Sequence, residues 1–176
     1  GGAFFDVLGR VTVCGIRDNL NGILTTGGGD VVFSAERKII VAEDISTSTS
    51  EGKAGDITLE SRSGGIDAAA SNMIANSELG NGGNISVTAA RDINSGSISA
   101  NGVLGGGIVL ESDADIFIDG SVIESNTLRS SEGTGGDVEV RGRSLFVTNG
   151  GQISVSTFSV KNTGNINIIV KEIVVF

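Results

Sequence analysis

A glycine-led phrase of five residues recurs along this chain at intervals close to the length of one solenoid coil. Each copy has Gly, then in most copies Asp or Asn, and then two apolar residues separated by one other residue. The copies begin at residues 29, 55, 83, 106, 136 and 164, so the steps between them are 26, 28, 23, 30 and 28 residues. Repetition at this period predicts a stack of coils, in which each coil buries its apolar side against its neighbours.

Apolar residues within each repeat lie two apart, which is the period of a β-strand. Three such segments occur in each repeat. The first supplies the inward-facing pairs Val31/Phe33, Ile57/Leu59, Ile85/Val87, Ile108/Leu110, Val138/Val140 and Ile166/Ile168. The second supplies Ile39/Val41, Ile66/Ala68, Ile93/Ser95, Ile116/Ile118, Leu145/Val147 and Ile173/Val175. The third begins at Ile45, Ile74, Ile98, Ile123 and Ile153.

Three short strands per repeat predict an all-β fold, a right-handed parallel β-helix (β-solenoid) with three strands per coil and about six to seven coils. The right hand follows from the rule for crossovers between parallel strands. A chain of 176 residues suits one core, so we expect a single β-solenoid domain over residues 1–176. Residues 1–28 are expected to form an irregular first coil, and residues 29–176 the repeats.

The composition excludes several classes of function. The chain carries 21 acidic and 12 basic residues, a formal net charge of −9, so no basic surface for nucleic acid is expected. It has no run of about 18 apolar residues that could span a membrane as a helix. Cys14 is the only cysteine, which excludes an internal disulfide, and we expect it to be a small residue of the wall.

The residue that follows the repeated Gly is informative about the turns. Asp or Asn follows the repeated Gly in most coils, and such residues favour tight corners because they bond nearby backbone. We expect this Gly–Asx step to form one corner of the three-sided β-helix, and a cation-binding stack of carboxylates is the alternative. Its members are Asp30, Asp56, Asn84, Asp137 and Asn165, with Gly107 as the exception.

The connection between the third strand and the next coil varies most in length, over residues 46–54, 76–82 and 125–135. Insertions in solenoids gather on one face, which is often where binding occurs. We call this connection the variable edge and predict that it is the recognition surface. The alternative is that these residues form ordinary solvated turns.

Parallel β-helices include enzymes that cleave polysaccharides, so clustered acids are relevant. The densest cluster consists of Glu111, Asp113, Asp115 and Asp119. Histidine and tyrosine are absent, which removes the commonest general base. Asp113 and Asp115 fall in the turn before Ile116, where equivalent corners carry Arg91 and Arg143, so a carboxylate is expected to meet an arginine there. We predict no catalytic, cofactor-binding or metal site and no enzymatic activity.

Two further patterns are weak. Residues 27–31 and 133–138 each echo once the glycine–aspartate nonapeptide that binds calcium, but that motif works through tandem copies. The Ser/Thr run at residues 46–50 could suggest an ice-binding array. The other coils carry Asn76, Ala100 and Ser125 instead of threonine, so we do not expect that activity.

The stretches TNGGQISVSTF (148–158) and NTGNINI (162–168) resemble the repeats of filamentous-haemagglutinin-like exoproteins of the two-partner-secretion type, especially the large cyanobacterial ones. Residues 83–89 and 97–100 fit the same style, and the resemblance covers roughly residues 22–168. Residues 159–161 depart from it, and the proline-containing motifs of the family's secretion domain are absent. The resemblance implies export across a Gram-negative envelope, and a role in adhesion, aggregation or matrix building at or beyond the cell surface.

Neither end of the sequence shows a polar cap, and Gly1 is not preceded by an initiator Met or a signal pattern. We therefore expect either a piece of a longer rod or a protomer that stacks end to end into a homo-oligomer or filament. The leading hypothesis is a structural or adhesive rod at the cell surface or outside the cell, with a surface glycan or a protein as its ligand. The alternative is a β-helix that binds or cleaves carbohydrate.

Overall fold

The computed structural model describes residues 3–7, 11–13, 22–128, 133–157 and 163–176. These residues form twenty β-strands and no helix, which confirms the all-β prediction for the described part of the chain. Nothing in those ranges is a helix long and apolar enough to cross a membrane. Cys14, residues 129–132 of the variable edge and residues 158–162 lie outside the described residues.

The strands assemble into three parallel sheets, and each coil contributes one strand to each sheet. Sheet A contains β1 (Ala3–Val7), β4 (Val31–Ala35), β7 (Ile57–Ser61), β10 (Ile85–Ala89), β13 (Ile108–Ser112), β16 (Val138–Arg141) and β19 (Ile166–Ile169). Sheet B contains β2 (Val11–Val13), β5 (Ile39–Val41), β8 (Ile66–Asp67), β11 (Ile93–Ser95), β14 (Asp115–Asp119), β17 (Ser144–Thr148) and β20 (Glu172–Val175). Sheet C contains β3 (Ile23–Leu24), β6 (Ile45–Ser46), β9 (Asn72–Ile74), β12 (Ser97–Ser99), β15 (Val122–Asn126) and β18 (Gln152–Ser156).

The register between coils keeps equivalent residues beside each other. Val87 of β10 is in register with Leu59 of β7 and Leu110 of β13, and all three side chains are fully buried. Because side chains alternate along a strand, one register fixes which residues face the core throughout the stack. The three-strand parallel β-helix is thus confirmed, and its core is the column of Ile, Leu and Val side chains enclosed by the three sheets.

One register prediction was wrong by a single residue. In sheet C the residue aligned with Ile45 and Ile98 is Met73, which is fully buried, while Ile74 faces outward beside Ser46 and Ser99. The sequence Met73-Ile74 offers two apolar residues in succession, so alternation alone does not decide between them. An unbranched methionine fills this site because its flexible side chain adapts to the gap between the neighbouring isoleucines.

The repeated glycine is required by the close approach of neighbouring coils. A Cβ built on Gly83 would lie 2.0 Å from the carbonyl oxygen of Gly55, and one on Gly106 would lie 2.0 Å from the carbonyl oxygen of Gly83. Both contacts involve backbone, which cannot rotate away as a side chain can. Positive φ does not explain these two glycines, because neither is among the residues with that conformation. The glycine column therefore sets the spacing at which coils stack.

The segment before Gly29 also contributes strands. β1, β2 and β3 each pair in parallel with the corresponding strand of the next coil, and Phe5 aligns with Phe33. The three sheets thus extend beyond the first copy of the glycine-led phrase.

Candidate functional site

The fold divides the acidic cluster among separate surfaces. Glu111 lies on sheet A in register with Arg141, Asp113 lies in the turn that follows β13, and Asp115 and Asp119 are the first and last residues of β14. Asp119 lies four residue steps along an extended strand from Asp115, so their backbones are about 13 Å apart. Paired carboxyl groups that hydrolyse glycosidic bonds lie about 5–9.5 Å apart. These two residues do not form such a pair.

Asp115 meets an arginine, as the sequence predicts. Arg143 of the next coil donates from Nε to Oδ1 at 2.9 Å and from Nη2 to Oδ2 at 2.5 Å. The hydrogen bonds from Arg143 are the main reason why the pKa of Asp115 lies below its ordinary value, and the same pair raises the pKa of Arg143. An ionised carboxylate held in this way cannot donate a proton near neutral pH. Its role in the structure is to join two coils.

A groove of about 390 Å³ lies on the outer face of sheet B. We call it the sheet B groove. It spans several coils and is open to solvent, and its volume is at the lower end of the range for small-molecule sites. It is lined by Ala69, Asn94, Ser95, Phe117, Asp119, Thr148, Asn149 and Phe176.

Phe117 provides the aromatic surface of the groove. Its ring stacks on that of Phe146 in the next coil, with the centroids 4.9 Å apart and the planes 9° from parallel. Phe146 therefore covers one face of the Phe117 ring, and Asn94 is the residue in register on the other side. The amide of Asn94 makes no hydrogen bond to any described residue, so its donors and acceptor remain available to a ligand.

Asp119 provides a fixed negative charge at the rim of the groove. Its Oδ1 accepts hydrogen bonds from Thr148 Oγ1 at 2.7 Å and from Asn149 Nδ2 at 2.6 Å. These two bonds, with that from Thr148 first, lower the pKa of Asp119 below its ordinary value. Aromatic surface, a free amide and an oriented carboxylate together suit a neutral polyhydroxylated ligand that offers both C–H surface and hydroxyl donors.

The variable edge carries a second groove, of about 360 Å³. It is lined by Ser48, Thr49, Ser50, Asn76, Ser77, Glu78 and Leu128, which come from all three of the variable connections. Part of the polar surface beside it is already paired, since Ser48 Oγ accepts from the backbone N–H of Asn76 at 3.2 Å. The predicted recognition surface is thus a real concavity, but its lining is mostly hydroxyl groups and lacks an aromatic ring.

The Gly–Asx corner is a ladder between coils. The side-chain oxygen of Asp30 accepts from the backbone N–H of Asp56 at 2.8 Å, and that of Asp56 accepts from the N–H of Asn84 at 2.7 Å. The sequence led us to expect bonds to the residue's own backbone, whereas the acceptor in fact serves the following coil. Either Asp or Asn supplies the oxygen that the ladder needs. Among the described residues no group of three or more acidic or cysteine side chains could hold a metal ion.

The sequence did not lead us to expect the sheet B groove. Phe117 and Phe146 are 29 residues apart and occupy the outward position of sheet B that is Asp67 and Asn94 in the two preceding coils. Two outward phenylalanines in successive repeats were the available signal. Asn94, by contrast, carries no mark in the sequence that distinguishes it from the other asparagines of the turns and strands.

In comparisons with known proteins, no family model, no curated protein and no solved structure matches this chain.

Proposed function

We propose that this chain is a non-catalytic segment of an extended extracellular rod, and that its last coil is covered by a further coil of the same kind. The observation that carries this proposal is the open apolar cross-section at β19 and β20. Four side chains that face the core direction there are 37–69% exposed, namely Ile166, Ile168, Ile173 and Val175. Their partners in register are fully buried or half-buried, namely Val138, Val140, Leu145 and Val147.

A coil placed on β19 and β20 would remove this surface from water. Complete burial of one such side chain stabilises a structure by about 1.5–3 kcal/mol, and the edge strands would also gain partners for their unpaired backbone groups. The covering coil belongs either to the same polypeptide or to a second copy. Both arrangements produce a rod, and the second produces a homo-oligomer or filament.

The resemblance to filamentous-haemagglutinin-like exoproteins supports a location at or beyond the cell surface. An acidic, disulfide-free stack of coils is compatible with export across a Gram-negative envelope, and it suits a shaft that displays or forms an adhesive or matrix structure. Fractionation of the source cells with an antibody against this segment tests the location. Recovery of the intact chain only from the cytoplasm would contradict it.

Two adjacent residues of β19 test the stacking. Ile168 faces the open cross-section, whereas Ile169 faces outward and is aligned with Arg141. We expect electron microscopy of the purified segment to show end-to-end assemblies for the wild type and for Ile169→Asp, and shorter particles for Ile168→Asp. Wild-type particles that remain one chain long at every concentration would exclude assembly of copies.

Adhesion to a glycan through the sheet B groove is a second candidate function. It is favoured by the combination of the half-buried Phe117 ring with the amide of Asn94, which makes no hydrogen bond within the described part of the chain. A glycan array should show binding that Asn94→Ala weakens, while Ser86→Ala, on the outer face of sheet A in the same coil, leaves it unchanged. Binding that is equal in the two variants, or absent from the wild type, would remove this candidate. Release of sugar products that survives the Asp113→Ala/Asp115→Ala double variant would show cleavage by other residues.

A further inference from the structure

Four Asn-Gly sequences occur in this chain, and their structural surroundings differ. They begin at residues 21, 81, 101 and 149. Asn21 lies outside the described residues, which leaves three for comparison. Asn-Gly is the sequence most prone to spontaneous deamidation in general peptide chemistry, because glycine offers no side chain to hinder attack by its backbone nitrogen.

In two of the three described Asn-Gly sequences, the glycine nitrogen is held by a hydrogen bond between coils. The N–H of Gly82 donates to the carbonyl of Leu104 at 2.9 Å, and the N–H of Gly102 donates to the carbonyl of Asn126 at 3.1 Å. Asn101 is in addition only 5% exposed. A glycine nitrogen engaged in this way must break a bond of the ladder before it can turn toward the neighbouring side chain.

The third is open. Asn149 and Gly150 form an exposed turn in which both residues have positive φ, 51° and 80°. The N–H of Gly150 donates to no described residue, and a Cβ built on Gly150 would meet nothing within 4 Å. The nitrogen is therefore unengaged and the turn has room to change its dihedral angles. Among the described residues, Asp119 alone restrains the side chain of Asn149, through the hydrogen bond from Asn149 Nδ2 to Asp119 Oδ1.

We propose that Asn149 is a site of spontaneous deamidation, which the fold leaves open while it protects Asn81 and Asn101. The backbone nitrogen of Gly150 loses its proton and attacks Cγ of Asn149, a C–N bond forms, and the side-chain nitrogen leaves as ammonia. Water then opens the cyclic imide at one of its two carbonyl groups. The products are aspartate, or isoaspartate with the main chain routed through the side-chain carbonyl, and no oxidant or reductant takes part.

The product changes the sheet B groove. Asn149 loses the Nδ2 donor that now binds Asp119, and a new carboxylate takes its place beside the first. Two carboxylates this close repel each other, which raises the pKa of at least one of them and loosens the contact between the coils. Isoaspartate would add one atom to the main chain of the turn that precedes β18. The reaction thus alters the charge at the groove with time, whether or not the groove binds a glycan.

Peptide mapping by mass spectrometry tests the proposal. The folded protein is incubated in mildly alkaline buffer, and amide-to-acid conversion is followed at Asn81, Asn101 and Asn149. We expect conversion at Asn149 to be several-fold faster than at the other two sites. The same incubation in concentrated urea is the control, because loss of the ladder should bring the three rates together.

Equal rates in the folded protein would overturn the proposal, and so would a difference between the sites that persists unchanged in urea. Gly150→Ala should slow the reaction, but alanine is strained at the positive φ of this position, so the comparison within the wild-type chain is the primary readout. That readout is a change of mass, so its outcome does not depend on whether the rod assembles or binds sugar.

Discussion

The variable edge and the Gly–Asx corner are consecutive parts of the same connection, yet the sequence varies in the first and recurs from coil to coil in the second. Residues 46–54 differ in length and composition from their counterparts at 76–82, whereas the step that follows is Gly55-Asp56 in one coil and Gly83-Asn84 in the next. At the corner each coil touches the backbone of its neighbour, since a Cβ on Gly83 would lie 2.0 Å from the Gly55 carbonyl oxygen. At Gly52, within the variable edge, an added Cβ would meet nothing within 4 Å.

The difference shows where this fold specifies its sequence. A residue is fixed when its own backbone stacks on the backbone of another coil, because no side-chain movement can relieve a clash there. A residue is free to change where an added side chain would meet no backbone, as at Gly52. Other parts of the variable edge stay within the stack, since a Cβ on Gly80 would lie 1.7 Å from the Gly52 carbonyl oxygen. The open positions of the variable edge can therefore acquire new recognition surfaces without disturbing the core.

Insertion of a single residue should show the largest contrast. An alanine inserted between Asn84 and Ile85 would move the apolar set of β10 from the core to the solvent face, so we expect no cooperative unfolding transition for this variant. The same insertion between Ser50 and Glu51 lengthens a loop, for which the cost in free energy of unfolding should stay below about 1 kcal/mol. Urea denaturation followed by circular dichroism measures both. Similar losses in the two variants would contradict the division between corner and edge.

Adjacent glycines give a finer comparison within the corner. In Gly106→Ala the new Cβ would lie 2.0 Å from the Gly83 carbonyl oxygen, and we expect a loss of at least about 3 kcal/mol in the free energy of unfolding. In Gly107→Ala the nearest atom is Asn84 Oδ1 at 3.4 Å, so the loss should be below about 1 kcal/mol. Calorimetry of the two variants measures both losses in the free energy of unfolding. A neutral Gly106→Ala would mean that coils can separate at this corner without cost.

The fold was predictable to the level of its strands because the stack repeats one simple rule. Apolar pairs such as Ile85/Val87 recur in every coil, and their alternation determines which face is buried. The rule fails where two successive residues are both apolar, as at Met73-Ile74, since alternation then permits either register. The reason for the repeated glycine was also hidden, because the sequence cannot show that a backbone of another coil lies against it.

The surface was less predictable for a physical reason. The contact of Asp115 with Arg143 could be expected, because the period places both residues at the same corner of successive coils. The sheet B groove depends instead on the outward Phe117 lying beside Asn94, whose amide has no hydrogen-bond partner among the described residues. Outward positions are under no common packing rule, so the pattern of the repeat carries no information about such a combination.

Completion of the Asx ladder should stabilise the protein modestly. Gly107 has no side-chain acceptor, and the backbone N–H of Asp137 in the next coil makes no hydrogen bond to a described residue. Gly107→Asn would supply the missing oxygen and also restrict the unfolded chain, so we expect a gain of about 1 kcal/mol in the free energy of unfolding. Chemical denaturation gives the value, with Gly107→Ala as the control that removes glycine without adding the acceptor. A free energy of unfolding for Gly107→Asn that is no higher than that of Gly107→Ala would exclude a contribution from the ladder bond.

The smallest effect concerns the ion pair that joins the variable edge to the corner. Partial burial would raise the pKa of Asp56, but hydrogen bonds from Lys53 and from the backbone of Asn84, together with the positive charge of Lys53, lower it overall. The distance from Lys53 Nζ to Asp56 Oδ1 is 2.8 Å, and both side chains are partly exposed. A folded-state pKa below the unfolded value near 3.9 means that the stabilisation is present above that pH and is lost as the pH falls through the lowered value.

Asp56→Asn separates the charge from the ladder, because the amide keeps an oxygen for the Asn84 N–H. We expect this variant to lose less than about 1 kcal/mol at neutral pH, since exposed ion pairs contribute little. The difference from the wild type should shrink toward zero as both proteins are taken below the ordinary aspartate pKa. Urea midpoints measured across the acid range test the sign. A difference that grows on acidification would contradict this prediction, because it would mean that Asp56 stabilises the protein in its protonated form.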